Sequence, residues 1–413
     1  MSESIPTKRP AMLSMDEALS YLLAQARPVT EIEHLETRAT LGRVLAQAQI
    51  SSLHVPPLDN SAMDGYAIAC TDLVMDGGKS LPISQRIPAG TVGETLKAGT
   101  AARIFTGAPI PLGADAVVMQ EECTAEGDTV TINVKPVAGQ NIRRAGEDIA
   151  TGAEILAPGT RIRPQEMGLA ASVGIAKLPV FRKLRVAMFF TGDEIVMPGE
   201  SLAPGQIYNS NRFSLTGLLQ ALGCEVTDLG IVPDNLEATV EVLQQASQNA
   251  DLVVTSGGVS VGEEDYVKAA VERLGKLEMW RIAMKPGKPL AYGNVNKASF
   301  IGLPGNPVSA LVTFCLFVRP FILSCQGVKN VMPRSCMVRA DFEWPKPDRR
   351  REFLRAQLSQ AEDGETTATI YPHQGSGVLT STVWADGVLD IPSGKTVARG
   401  DRVKFISFSE MLY

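Results

Sequence analysis

Five short segments between Thr191 and Pro307 carry residues suited to holding an anion. Ser256-Gly257-Gly258-Val259-Ser260-Val261-Gly262 joins glycines, which let backbone N–H groups approach an anion, to small hydroxyls that add donors. Lys285-Pro286-Gly287-Lys288 follows Trp280-Arg281; the lysines supply two point charges, and Arg281 offers a planar fork, suited to phosphate or another oxyanion. Leu303-Pro304-Gly305-Asn306-Pro307 opens a helix, whose N-terminus adds a positive dipole end. Thr191-Gly192-Asp193-Glu194, Pro233-Asp234 and Asp265 bring carboxylates that would repel such an anion. A hard cation such as Mg²⁺ between Glu194, Asp234, Asp265 and the phosphates would resolve that conflict. Taken singly, the Gly-Gly and Lys-Pro-Gly-Lys segments read more readily as turns than as ligand sites; their common placement at strand ends argues for a site.

An earlier stretch adds further groups. Prolines in His54-Val55-Pro56-Pro57 fix the approach to Asp59-Asn60-Ser61-Ala62-Met63-Asp64-Gly65, where Gly65 allows a tight turn. Thr106 stands at the end of a strand-like run beginning at Arg103, and Arg143 and Asp148 lie in a stretch mixing cations and acids. Asp59 reads as turn chemistry. For Asp64, Thr106, Arg143 and Asp148, spacing leaves a site role and surface ion pairing both open. No Ser-His-Asp or Cys-His constellation accompanies these segments, so chemistry here would rest on positioning and electrostatics, without a covalent enzyme intermediate.

The elements that must position these groups fall into zones. Ser14 and Glu17 form a capping-box pattern before Leu19, Leu22, Leu23 and Ala26 at helical spacing. Short strands broken by Gly and Pro follow to about Arg144, predicting a small β domain. Thr151 to Lys183 resembles the first zone, which suggests that the β zone is inserted into a domain made of both flanks. From Leu184, strand and helix patterns alternate, predicting a parallel sheet with helices on both faces, closed by one long apolar helix from Pro307 to Leu323. The end of the chain, from Met332, again reads as all-β. In an open α/β sheet ligands bind outside the carboxyl ends of the strands, where all five anion-suited segments fall.

Composition sets limits. The chain has 413 residues, 45% of them apolar, enough for about two or three domains with a sizeable core. A formal net charge of −6 argues against a nucleic-acid-binding surface. Six dispersed cysteines without a CxxC pair, and only three histidines, argue against a zinc site or a disulfide framework. No apolar run reaches the roughly 18 residues of a membrane span without Pro, Gly or a charge breaking it. Met1 to Pro10 lacks the apolar stretch of a signal peptide, which suggests a cytoplasmic protein with a disordered tail.

Taken together, Asp59–Ala67, Arg103–Pro109, Gly139–Ile149, Thr191–Glu194, Asp251–Tyr266, Met284–Pro289 and Gly302–Pro307 closely resemble, in order, the segments of the molybdopterin molybdenumtransferases, the family that includes the E domain of gephyrin. The C-terminal zone matches least, with His373-Gln374-Gly375-Ser376 as its clearest piece. The resemblance implies an enzyme that inserts molybdenum from molybdate into adenylylated molybdopterin and releases AMP with the help of Mg²⁺. It implies a mixed α/β and β multidomain fold. Residues 11–50 with 145–183 would form a discontinuous α+β domain, and 51–144 an inserted β domain. Residues 184–328 would form the doubly wound molybdopterin-binding domain, and 329–413 a β-barrel-like domain.

It also implies a homodimer whose cleft is shared between subunits, working alongside a molybdopterin adenylyltransferase and downstream cofactor-handling proteins, with no nucleic acid or membrane partner. Carried over by position, Asp64, Thr106, Asp148 and Lys285 would be catalytic. Arg143, Ser256, Gly257, Gly258, Ser260, Arg281, Lys288, Pro304, Asn306, Pro307 and Ser376 would bind substrate, and Glu194, Asp234 and Asp265 metal. Arg281 stands where the family commonly has Lys, which replaces a flexible point charge by a rigid fork. A non-catalytic pterin carrier and a different nucleotide hydrolase on the same sheet are the competing readings; molybdate-dependent AMP release separates them.

Overall fold

In the computed structural model, residues 12–73, 79–258 and 266–412 are described. Helix α1 (Met15–Ala24) begins at Ser14, whose hydroxyl accepts from the Glu17 N–H (3.2 Å) while the Glu17 carboxylate accepts from the Ser14 N–H (2.8 Å). Its apolar face, Met15, Ala18, Leu19 and Leu22, joins the main core. Strands β1 (Ile32–Glu36) and β2 (Gln49–Ile50) lead into a six-stranded sheet. That sheet comprises β3 (Gly65–Ile68), β4 (Lys79–Ile87), β5 (Ala101–Ile104), β6 (Ala116–Met119), β7 (Cys123–Glu126) and β8 (Thr129–Ile132), in the order β6-β3-β5-β4-β8-β7. The chain then returns: β9 (Glu154–Leu156) pairs with β2 and, after α2 (Pro164–Ser172), β10 (Lys177–Phe181) pairs with β1. The flanks of the β sheet therefore pair with each other.

The next unit alternates β11 (Arg185–Thr191), α3 (Ser210–Ala221), β12 (Glu225–Val232), α4 (Leu236–Asn249), β13 (Leu252–Ser256) and α5 (Tyr266–Leu274), then adds β14 (Gly275–Arg281), the short β15 (Met284–Lys285), β16 (Pro289–Val295) and β17 (Ala298–Leu303). Its six-stranded sheet runs β12-β11-β13-β17-β16-β14. Side chains on β11 alternate between faces. Val186, Met188 and Phe190 meet α3 and the helix after Pro307, whereas Ala187 and Phe189 meet α4 and α5. Both faces are covered, so β11 and β13 read as continuous apolar runs.

The expected parallel sheet needs one correction. β16 runs antiparallel to both β14 and β17. Only Asn296 and Lys297 join it to β17, with Asn296 at φ +53°; a two-residue turn reverses the chain and cannot make a parallel crossover. Two reversals leave β14 pointing the same way as β17, so the carboxyl end of β14 still lies on the same edge as those of β11, β12, β13 and β17.

The expected single α-helix from Pro307 also differs. It is α6 (Pro307–Thr313), a π turn (Phe314–Val318) and α7 (Arg319–Cys325). Pro320 lacks an N–H and its ring crowds the preceding turn, which the wider π turn accommodates. Pro307–Cys325 is long and apolar enough to cross a membrane, but it is mostly buried inside the protein, which marks it as a core helix.

Five strands, β18 (Cys336–Ala340), β19 (Arg351–Gln360), β20 (Thr366–Ile370), β21 (Gly387–Ile391) and β22 (Arg402–Ser407), form a barrel closed by pairing of β19 with β21. β15, from the α/β unit, adds to its edge alongside β19.

Candidate functional site

A cavity of about 1000 Å³ lies at the carboxyl edge of the α/β sheet. Four of the five segments singled out from sequence line it, through Thr191 and Glu194, Ser256 to Gly258, Lys285 to Lys288, and Pro304 to Pro307. The fifth stands behind the wall: Asp234 accepts a hydrogen bond from the Thr191 hydroxyl (3.0 Å) and does not face the cavity. Arg281 does not line it either; its carbonyl accepts from the Leu13 N–H (3.0 Å). Ser376 does line it, as expected. Ser260 and Asp265 lie outside the described residues.

Several groups hold the wall together rather than presenting donors. Asn211 donates to the Ser256 hydroxyl (2.8 Å) and to the Gly305 carbonyl (2.7 Å), and Ser256 donates onward to the Pro304 carbonyl (2.8 Å). The Ser256 hydroxyl is therefore engaged and buried. The Gly257 N–H donates to the Leu303 carbonyl (3.2 Å), so this glycine supplies room, not a donor. At φ +98°, a side chain there would place Cβ 2.9 Å from the Thr191 carbonyl oxygen. The N-terminus of α6 is also committed: Pro307 has no N–H, and that of Val308 donates to the Ser376 carbonyl (3.0 Å). This ties the barrel's 374–377 loop to the α/β unit.

The cationic wall is built from both units. Lys285 pairs with Glu352 of β19 (2.9 Å), and Lys288 lines the cavity beside it. Arg350 is a further cation on the wall that sequence reasoning missed. Asp348 fixes it by accepting from its backbone N–H (3.0 Å), Nε (3.0 Å) and terminal nitrogen (2.7 Å), and these bonds hold the Asp348 carboxyl down at about 2. Behind the 374–377 loop, the fully buried Arg355 donates to the Gly375 carbonyl (3.1 Å) and the Ser381 hydroxyl (3.0 Å), and burial pushes its guanidinium down to about 10. The run Asp348-Arg349-Arg350-Arg351-Glu352 was the available signal for these residues. Asn209-Ser210-Asn211, where Asn209 caps α3 by accepting from the Arg212 N–H (3.1 Å), was the signal for the other missed wall.

The remaining expected groups sit at the end of the inserted sheet (Asp64, Thr106) or in the segments beside it (Arg143, Asp148), and none lines this cavity. The Asp64 carboxylate accepts from the Thr106 N–H (2.8 Å) and hydroxyl (2.9 Å), which hold it below its ordinary value. Arg143 lies opposite Asn60 in a short antiparallel pairing. The Asp148 N–H donates to the Val55 carbonyl (3.1 Å). Asp59 is engaged by Arg144 (2.6 Å) and the Ala145 N–H (2.8 Å), the turn role expected of it. Among the described residues no group of three or more His, Cys, Asp or Glu could hold a metal ion.

A doubly wound sheet with lysines and an arginine around a large cavity at its carboxyl edge defines a class of α/β protein whose site is suited to an anionic ligand. Comparisons make this specific. Residues 13–174 match the MoeA N-terminal region (domain I and II), 187–324 match a probable molybdopterin binding domain, and 337–408 match the MoeA C-terminal region (domain IV). The chain is 41% identical to a molybdopterin molybdenumtransferase of Haemophilus influenzae over 97% of this chain and 100% of that relative. It is 34% identical to one of Bacillus subtilis over 88% and 86%. The crystal structure of a molybdopterin biosynthesis MoeA protein from Pyrococcus horikoshii superposes with a TM-score of 0.81 at 30% identity, covering 96% of this chain and 100% of that one. The chain belongs to the molybdopterin molybdenumtransferase family, transferases of molybdenum cofactor biosynthesis.

Proposed function

We propose that this protein transfers molybdenum from molybdate to adenylylated molybdopterin and releases AMP. The observation that carries the reading is the cavity wall on which Lys285, Lys288 and Arg350 meet at the sheet's carboxyl edge. Two lysine point charges would hold the phosphates linking AMP to the pterin, and the rigid fork of Arg350 suits a tetrahedral dianion such as molybdate. Gly257, Gly258, Pro304, Asn306, Pro307 and Ser376 would shape the pterin and nucleotide contacts. Among the described residues no cysteine or histidine lines the cavity, and positioning and charge would supply the catalysis.

Asp64, Thr106, Arg143 and Asp148 would come from a second copy of the chain and complete the cleft in a homodimer. Asp64, charged at neutral pH, or Asp148 would orient or deprotonate water or a dithiolene thiol. The domain division proposed is 11–50 with 145–183, 51–144, 184–328 and 329–413. Mg²⁺ on Glu194, Asp234 and Asp265 belongs to the reading as a requirement to test. Of Glu194 and Asp234, only Glu194 faces the cavity. The protein would act in the cytoplasm, receiving its substrate from a molybdopterin adenylyltransferase.

The test is molybdate-dependent AMP release by purified protein and by the Lys285→Ala variant. We expect release from the wild type and a loss of about tenfold or more in kcat/KM for the variant. Absence of release from the wild type, or an unimpaired variant, contradicts the reading.

A further inference from the structure

β15 belongs by sequence to the α/β unit, yet its hydrogen-bonding partner is the barrel strand β19, with Lys285 opposite Glu352. A second backbone bond, from the Arg351 N–H to the Ala283 carbonyl (2.9 Å), extends this junction. Glu352 is 2% exposed and both carboxylate oxygens are engaged, one with the Lys285 ammonium (2.9 Å) and the other with the Trp344 indole N–H (2.7 Å). Asp348 stands 4.0 Å from the same ammonium.

Lysine carries its charge on a flexible four-carbon stem and has no preferred direction of its own. A carboxylate fixed at both oxygens can give it one. The Lys285 side chain stays partly exposed on the cavity while its ammonium is anchored from behind, leaving donor capacity for a ligand.

We propose that Glu352 is a positioning residue for the transfer reaction: it fixes the Lys285 ammonium on the cavity wall and thereby makes the C-terminal barrel part of the catalytic apparatus. This rests on the reading that Lys285 contacts the substrate's phosphates. A purely structural interdomain ion pair would move stability and leave turnover alone. A positioning role instead lowers turnover more than ground-state binding, because misplacement is felt most in the transition state.

The experiment compares wild type, Glu352→Gln, Lys285→Ala, the double variant and Trp344→Phe. It measures kcat and KM for molybdate-dependent AMP release, with thermal unfolding as a control. Glutamine keeps the shape and can still accept from Trp344, but lacks the charge. For Glu352→Gln we expect kcat to fall about tenfold or more with KM changed less than about threefold. Trp344→Phe, which frees the second oxygen, lowers kcat in the same direction by less. The double variant matches Lys285→Ala, because Glu352 acts through Lys285. Wild-type kcat in Glu352→Gln overturns the proposal, as does a further loss when it is added to Lys285→Ala. Wild-type turnover in Lys285→Ala instead refutes the phosphate role of Lys285, and the positioning role falls with it; only the first two outcomes overturn the proposal while leaving that role standing.

Discussion

Gly287 offers a severe test of how the lysine loop is held. Its φ is +103°, and a Cβ there would lie 2.2 Å from the Thr313 Oγ1 on α6, 3.4 Å from the Met284 Cε and 3.5 Å from the Ser309 carbonyl oxygen. Alanine at this position meets two separate costs. Backbone strain in a region that L-residues avoid amounts to about 1–3 kcal/mol. The collision requires the loop or the helix to yield by about 1 Å to restore van der Waals separation. Helix α6 is buried, so the loop yields, and Lys285 and Lys288 move with it. A displacement of about 1 Å at a catalytic group costs on the order of 100-fold in rate. For Gly287→Ala we therefore expect a stability loss of about 1–3 kcal/mol in urea unfolding and a fall of about 100-fold in AMP release.

The two costs separate through Thr313→Ala. Among the described residues the buried Thr313 hydroxyl has no hydrogen-bond partner, so removing it alone costs little. In the Gly287→Ala background it removes the colliding atom and restores part of the rate, while the backbone strain persists. Near wild-type rate and stability in Gly287→Ala would refute the packing argument. An unchanged rate on adding Thr313→Ala would show that the collision is not what displaces the lysines.

Asp348 gives a pH-dependent outcome. Its carboxyl is held at about 2 in the folded protein against 3.8 as the ordinary value, chiefly by Arg350. A folded value below the unfolded one stabilises above the unfolded value and is lost as pH falls through the folded one. Asp348→Ala is expected to lose about 1–2 kcal/mol of unfolding free energy at pH 7, with the difference from wild type shrinking between pH 4 and 2; a pH-independent difference counts against it. Arg355→Met, which removes a buried cation having no carboxylate partner among its hydrogen bonds, should release the 374–377 loop from its Gly375 carbonyl contact. We expect faster amide hydrogen exchange across that loop and about tenfold weaker AMP binding, with unchanged exchange in β11 as the internal control.

Much of this protein was legible because local rules and tertiary demands agree. Ser14 and Glu17 cap α1 as their spacing requires. The strand-helix alternation from Leu184 gives a doubly wound sheet, and the strand-end glycines and lysines converge because all those ends point the same way. Asp64 and Thr106, whose roles spacing left open, meet because Asp64 immediately precedes β3 and Thr106 follows β5, and these strands pair antiparallel with Gly65 opposite Ile104. What stayed hidden depends on contacts between segments distant in sequence. A charge run at Asp348 to Glu352 looks like any solvated turn until β15 pairs with β19 and sets Glu352 against Lys285, 67 residues earlier, with Arg350 on the wall. Ser256 looks like a ligand donor until its hydroxyl is found donating to the Pro304 carbonyl, 48 residues later. Arg281 looks like part of the cationic cluster until its carbonyl is found paired with Leu13, with the residue itself away from the cavity. Periodicity, turn residues and strand direction account for the strand-helix alternation, the chemistry of the loops and the edge of the sheet where they gather, whereas the multidomain arrangement came from the resemblance to the family. Which donors face the cavity and which are consumed in holding it depends on packing between distant segments, because a hydrogen-bonding group serves whichever partner packing brings within reach.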